Sequence, residues 1–206
     1  MQYLARNPAI NADLFFFLNF VQILRKLFKY GLKPHPEFFF IAHDDYFLSL
    51  ILIKLGYKLL VVPNVFIKHE KGSITGHKSM KRDFHWSKNS LAITLTLWRS
   101  LKATILSVML CWISHIVLCF LTNHNVVGTF KGHLWVLRNL GKLVKLRKVV
   151  NNVHSVSDKR LALYLVKVLV LYAKQGRPSY LRLPKSLWSM YTALNISLFR
   201  KLIKSY

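Results

Sequence analysis

The stretch Phe38–Glu70 reads FFFIAHDDYFLSLILIKLGYKLLVVPNVFIKHE and carries most of the information about the fold. It opens with an aromatic run, sets two adjacent aspartates before an apolar segment, and closes with a β-branched run that leads to a histidine. The apolar segment Tyr46–Leu55 predicts a helix that ends at Gly56, since glycine readily adopts the backbone conformation that closes helices. Tyr57–Val62 and Val65–Lys68, separated by a proline, predict strands.

The residues before this stretch predict further elements of both kinds. Leu14–Phe20 is rich in aromatic residues, as buried strands are, and Val21–Tyr30 has apolar residues at helical spacing, with a glycine directly after it to end the helix. Leu32–Glu37 contains two prolines and predicts an irregular loop. Phe38–Ala42 then predicts a short strand or extended segment. The expected fold of this part of the chain is therefore α/β.

The composition combines strong positive charge with many apolar residues. The chain of 206 residues has 31 Lys and Arg against 7 Asp and Glu, a formal net charge of +24, and is 53% hydrophobic. It is too apolar for a disordered basic tail and too basic for a typical cytosolic enzyme. We therefore expect an anionic partner, which could be a membrane surface, a phosphate-bearing substrate or a nucleic acid.

The carboxyl-terminal half favours the membrane among these partners. Only Asp158 is acidic after residue 84, and the Lys and Arg residues there alternate with Leu, Val and Trp. This mixture is typical of helices on membrane surfaces, whereas a nucleic-acid groove would be expected to carry aromatic stacking platforms and polar readers. Nucleic acid is accordingly the disfavoured partner. Cys111 and Cys119 lie in the most apolar run and are expected to be small buried hydrophobes.

Ile105–Leu121 is a run of 17 residues without Lys, Arg, Asp or Glu. At about 1.5 Å per residue this is slightly short for a hydrocarbon core of roughly 30 Å. Basic residues flank the run on both sides, so a single span would place one basic cluster on the wrong side of the membrane. We favour a re-entrant or in-plane helix with both ends cytosolic, and a spanning helix is the alternative.

These features divide the chain into three predicted regions. Residues 1–90 form the α/β part, residues 91–127 contain the hydrophobic membrane-associated helix, and residues 128–206 are basic amphipathic helices. In the last region Gly128–Val150 and Leu161–Tyr172 have helical patterns, and a final helix with interfacial Trp and Tyr residues is expected near the end of the chain.

Asp44 and Asp45 are the first candidate site, because a doubled carboxylate is unusual in a chain with so few acids. A carboxylate that takes a proton from a hydroxyl group must be ionised and close to that oxygen. Asp44 opposes the ionisation of Asp45 through like charge, and the helix amino terminus and the basic chain favour it. The alternative interpretation is that one aspartate only caps the helix that begins here.

His69 is the second candidate, since an imidazole at the end of a β-run can face a pocket and bind a metal ion. The chain has no HxH, HExxH or CxxC spacing. Any cation at His69 would therefore need additional ligands from elsewhere.

Taken in series, Phe38–Glu70 and the segment DFHWSKNSLAI at Asp83–Ile93 are similar to the second half of the catalytic domain of family 2 inverting glycosyltransferases, including rhamnosyltransferase-like members. The resemblance implies the carboxyl-terminal half of a GT-A domain followed by a membrane-associated helical tail. It implies that Asp45 is the general base with Asp44 beside it, and that His69 binds a divalent cation, Mg²⁺ or Mn²⁺. Lys88 and Asn89 match an Arg-Asn position that contacts the acceptor or a phosphate.

The chain departs from this family in lacking an Asp-x-Asp motif and a glycine-rich phosphate loop. We therefore expect the nucleotide-sugar donor to bind a missing or separate amino-terminal half, and this chain alone to be inactive. The other expected partners are membrane lipid and a glycan or lipid-linked acceptor, at the cytoplasmic face of a membrane. The alternative function is that of a noncatalytic basic protein bound to membrane surfaces.

Overall fold

The computed structural model of the chain describes residues 21–34, 36–39, 42–58, 79–121, 124–153 and 156–174, and six positions between 193 and 204. The helices are α1 over residues 21–29, α2 Asp44–Lys54, α3 Met80–Leu97, α4 Leu101–Leu121, α5 Val126–Arg138, α6 Leu140–Asn151 and α7 Asp158–Lys174.

The predicted α/β, partly GT-A-like fold is wrong for these described residues, which are 79% helical and contain no strand. Where Phe38–Ala42 is described it forms a turn and a bend, and Phe39 N donates to Pro36 O over 2.8 Å. The Phe39 ring is buried and lies 4.7 Å from the Phe47 ring of α2. Aromatic residues favour strands because a sheet can bury them, and here a helix provides that burial instead.

Three further predicted strands lie wholly or mostly outside the described residues. Leu14–Phe20 and Val65–Lys68 lie outside the described residues, as does most of Tyr57–Val62. The first two residues of that last segment are described, and they follow the end of α2 without regular structure.

The predicted helix ends at Gly31 and Gly56 are confirmed. Both glycines have left-handed backbones, with φ of 69° and 88°. After each helix a backbone N–H reaches back five residues, from Leu32 N to Leu27 O over 2.9 Å and from Tyr57 N to Leu52 O over 3.0 Å. This is the Schellman pattern, in which a glycine lets the chain turn away and satisfy the last helical carbonyls.

Helix α3 contacts α2, α4, α5 and α6, and its most extensive contacts are with α5. Two glycines of α5, one turn apart, make a close approach possible. A Cβ atom added to Gly132 would lie 2.1 Å from Ser87 Oγ and 2.8 Å from Phe84 O, and one added to Gly128 would lie 2.4 Å from Met80 O. Small residues at this spacing let two helix backbones touch.

A buried, charged group of contacts lies where α2, α3 and α6 end and where α4 and α7 begin. Lys54 Nζ has no solvent exposure and donates to Leu97 O over 2.6 Å and to Asn151 Oδ1 over 3.3 Å. Burial lowers the pKa of Lys54 to about 8, against the opposing influence of Asp158. The buried Asp158 carboxylate accepts from two backbone N–H groups that precede α4, one of them Ser100 N at 2.8 Å. These contacts join α2, α3, α4, α6 and α7.

The predicted helix over Ile105–Leu121 is present as part of α4. Within the described residues, Leu101–Phe120 is the stretch that is long and apolar enough to cross a membrane, by length and composition alone. The basic segment Gly128–Val150 forms two helices, because the chain turns at Asn139 between α5 and α6. Helix α3 runs unbroken through residue 90, and the three-region division of the chain stays a prediction.

Candidate functional site

Asp44 and Asp45 are the first two residues of α2. The residue at the N-cap is His43, and its side chain makes no capping hydrogen bond. The prediction that an aspartate occupies the N-cap is therefore wrong by one or two positions. Asp45 is exposed, and its Oδ1 accepts from Tyr46 N over 2.7 Å. A carboxylate in the first turn is stabilised by the helix dipole, and at this exposed position it also faces solvent.

The backbone directly before the aspartates adopts an unfavourable conformation. Ala42 has φ of 61° and His43 has φ of 64°, both in the left-handed region. Residues with a Cβ atom rarely adopt this region, and each costs about 1 kcal/mol or more there. Two in succession persist only when surrounding contacts hold them. In proteins such backbone strain concentrates at functional sites.

Two neighbouring side chains of α3 supply those contacts. Lys88 is buried, and its Nζ donates to the carbonyl oxygen of Phe38. Asn89 has no solvent exposure, and its Nδ2 donates to Ala42 O over 2.6 Å. The structure thus brings the predicted pair Lys88–Asn89 against the loop that leads into Asp44 and Asp45. Their contacts here hold the loop, and a direct contact with an acceptor or phosphate stays a prediction.

The surroundings of Lys88 are aromatic. Its Nζ lies 4.9 Å from the centre of the Trp135 ring and 5.5 Å from that of Phe84. Burial lowers the pKa of Lys88 to about 8. A cation over an aromatic face is partly compensated for its lost hydration, so the ammonium group can remain inside the bundle.

His69, the predicted cation ligand, lies outside the described residues. Among the residues that the structure describes, no group of three or more His, Cys, Asp or Glu side chains could hold a metal ion. The Mg²⁺ or Mn²⁺ ion and its ligand His69 therefore stay predictions from the resemblance.

A cluster of histidines and Trp86 lies between α3, α4 and α5, and the sequence analysis missed it. The Trp86 ring centre is 4.5 Å from that of His115 and 4.8 Å from that of His124. The His115 and His133 rings stack with centres 5.1 Å apart. On the side of the aspartates, the His43 ring lies 6.3 Å from Trp86. Aromatic and imidazole rings thus run from the loop before α2 into the helical bundle.

Hydrogen bonds connect the two central histidines to α3. Ser90 Oγ lies 2.8 Å from Trp86 O and 2.8 Å from His115 Nε2. On the other side of the ring, His115 Nδ1 is hydrogen-bonded to His133 Nε2 over 2.8 Å, and in neutral imidazoles one of these nitrogens donates and the other accepts. Burial, with a smaller contribution from His133, lowers the pKa of His115 to about 3. Burial also lowers the pKa of His133, so the site favours the neutral form of both imidazoles, and a proton added to each would place two N–H groups against one another.

Asp83 fixes the connection between α4 and α5. Its fully buried carboxylate accepts from Asn125 N over 2.6 Å, lies 2.9 Å from His124 Nδ1 and accepts from Arg82 over 2.8 Å. Burial alone would raise the pKa of Asp83, but these three donors outweigh it and lower the pKa. The family resemblance had singled out the segment beginning at Asp83, and the described contacts are structural ones.

Some of this arrangement had a signal in the sequence. Gly128 and Gly132 form a G-x-x-x-G motif, which is a mark of close helix packing. His115 in the middle of a run without charged residues indicated a polar partner, although its identity depends on how the helices meet. The cysteines were predicted to be buried. Cys111 and Cys119 are half-buried free thiols, so this prediction is confirmed in part.

Comparison with known proteins gives no assignment, since no protein-family model, curated protein or solved structure matches this chain.

Proposed function

We propose that this chain supplies the acceptor side of an inverting sugar-transfer enzyme at a membrane surface, with Asp45 as the general base. The observation that carries the proposal is the loop before α2. Ala42 and His43 hold a strained left-handed conformation, Lys88 and Asn89 of α3 fix it, and the result is an exposed carboxylate at a defined position. A helix that needed only a cap would not require this arrangement.

The reaction follows from the chemistry of a carboxylate base. As an acceptor hydroxyl attacks the anomeric carbon, Asp45 takes its proton, and the bond from that carbon to the nucleoside diphosphate breaks. Attack from the side opposite the leaving group inverts the configuration. Lys88 and Asn89 are positioning residues in this scheme, because they bond to the loop backbone and so place the carboxylate.

The donor-binding part would come from another polypeptide or domain, since the chain has no Asp-x-Asp motif. A divalent cation, where present, would offset the negative charge on the leaving diphosphate. The rest of the proposal concerns only the residues of this chain.

A transfer assay with matched variants tests the proposal. Membranes would be prepared from the organism of origin, with its own copy of the chain replaced by each variant so that the donor-binding part is present. They would be incubated with radiolabelled nucleotide sugars, and the lipid-linked and glycan products would be counted. We expect Asp45→Asn to lower transfer at least about 100-fold, which is the usual contribution of a general base. Glu37→Gln is the control, because Glu37 is an exposed acid on the preceding loop and forms an exposed ion pair with Lys33. Equal transfer by all three proteins would refute the role of Asp45.

A second candidate function is that of a noncatalytic basic protein at a membrane surface. The observation that favours it is the number of large apolar side chains exposed on α4 and α5 beside a net charge of +24. Such a protein would bind anionic vesicles and would show no change with Asp45→Asn.

A further inference from the structure

Helix α4 exposes apolar side chains along one face. The exposed residues recur every three or four positions, as residues on one side of a helix do. We define the α4 outer face as these six side chains, which are 46–84% exposed: Ile105, Met109, Trp112, Ile113, Ile116 and Phe120. At 3.6 residues per turn they fall within an arc of about 120°.

The opposite side of α4 is small and polar and points into the bundle. Thr104, Ser107 and His115 are at most 6% exposed, and the half-buried Cys111 lies among them in helical spacing. His115 reaches across to Ser90 of α3. A helix in water buries its apolar side and exposes its polar side, and α4 does the reverse. The medium outside α4 is therefore expected to be more apolar than the interior of the bundle.

Charge identifies that medium as an anionic bilayer. Lys102 is exposed on the same arc as the outer face, Arg99 is exposed just before the helix, and the whole chain has a net charge of +24. Acyl chains would receive the aliphatic residues, and anionic headgroups would attract the basic ones. Trp112 on the same face is the residue type that favours the boundary between the two. A protein partner would account for the apolar face and leave the excess charge unexplained.

The neighbours of α4 determine how deeply it can enter. Helices α3 and α5 pack beside it and carry the exposed cations Lys81, Lys131 and Arg138. If α4 crossed the bilayer from end to end, these charges would be carried into the hydrocarbon, which is costly for each one. We propose that α4 lies in the plane of an anionic bilayer, with its outer face among the acyl chains and the bundle on the aqueous side. This inference does not rest on the proposed sugar transfer.

Vesicle flotation with the full chain tests the docking surface. The vesicles would contain phosphatidylcholine alone or with phosphatidylglycerol, and the variant would be Met109→Glu with Ile113→Glu. Each change replaces an apolar side chain that would enter the acyl chains with a charged one, so we expect binding to fall about 100-fold or more. Leu140→Glu with Leu163→Glu is the matched control, since both are exposed leucines outside α4 and the change in net charge is the same. Unchanged binding by the double variant, or equal binding to both vesicle types, would overturn the proposal.

Depth is measured on the unmodified chain, so the test survives if the double variant misfolds. Lipids brominated near the headgroup and near the bilayer centre quench tryptophan at different depths, and a Trp112→Phe variant assigns the part that comes from Trp112. We expect stronger quenching by the shallow bromines. Stronger quenching by the deep bromines would refute the in-plane arrangement, and no quenching with a stable dimer in solution would identify a second copy as the partner. A chain that docks but fails the transfer assay would leave this inference standing.

Discussion

Substitution of Gly132 by alanine tests whether the backbones of α3 and α5 touch. The added Cβ atom would lie 2.1 Å from Ser87 Oγ, 2.8 Å from Phe84 O and 2.9 Å from Lys88 N. Carbon atoms ordinarily approach such neighbours to about 3.5 Å, so the helices would have to separate by up to about 1 Å. Two of the three neighbours are backbone atoms of α3, which cannot move aside as a flexible side chain can.

The expected change in the free energy of unfolding has two parts of opposite sign. Overpacking of a close contact costs about 1–3 kcal/mol, and here the upper end applies because backbone is involved. Alanine in place of glycine returns about 1 kcal/mol through its higher helix propensity. We therefore expect Gly132→Ala to destabilise the protein by about 2 kcal/mol.

Gly141 provides the control within the same chain. It lies exposed in α6, and an added Cβ atom would meet no other atom within 4 Å. Gly141→Ala should therefore stabilise the protein by up to about 1 kcal/mol, through propensity alone. Guanidinium unfolding followed by far-ultraviolet circular dichroism measures both variants. If Gly132→Ala were stabilised as much as Gly141→Ala, the close crossing of α3 and α5 would be refuted.

Three further predictions concern buried polar groups. Asp158→Ala should lower the free energy of unfolding by about 2–4 kcal/mol, because two backbone N–H groups before α4 lose their acceptor, and a change in denaturation free energy below about 0.5 kcal/mol would contradict this. Since the pKa of His115 falls from 6.5 to about 3 on folding, the unfolded chain takes up its proton first as the pH drops. The contribution of the neutral His115 to the free energy of unfolding is complete above about pH 6.5 and declines below it, so at pH 5 the wild type should have lost about 2 kcal/mol more than His115→Gln. Urea titrations of both proteins at pH 7 and pH 5 measure this difference, and equal losses by the two proteins would contradict the prediction. Asn89→Ala should free Ala42 O and loosen the loop before α2, which hydrogen exchange at the amino end of α2 measures; unchanged protection would show that Asn89 does not hold the loop.

Local sequence predicts some of the helix boundaries and not others. The ends at Gly31 and Gly56 were predictable, because a left-handed residue after a helix is a property of glycine itself. The N-cap of α2 was not predictable from local sequence, because His43 occupies it in a left-handed conformation that histidine rarely adopts. That conformation depends on hydrogen bonds from α3, about 45 residues later in the chain.

The candidate site divides in the same way. The position of the doubled aspartate at the start of α2 follows from the sequence, and the family resemblance singled out Lys88 and Asn89. The contacts of Lys88 and Asn89 do not follow from the sequence, since a lysine and an asparagine can bind phosphate, sugar or backbone equally well. The bonds between Ser90, His115 and His133 join three helices, and no spacing within one helix indicates which polar groups of the others will meet it.

By itself, the sequence determined the strong positive charge, the position of the apolar helix α4 and the glycine-controlled helix ends, because each depends on residue type or on short-range backbone preference. Only the tertiary structure decided that the chain turns at residues 36–39, where a strand was expected to begin, and that α4 points its polar side inward. The physical reason is that both outcomes depend on the partner surface available for burial. Aromatic and apolar residues favour burial, and packing with distant parts of the chain determines the surface against which they are buried.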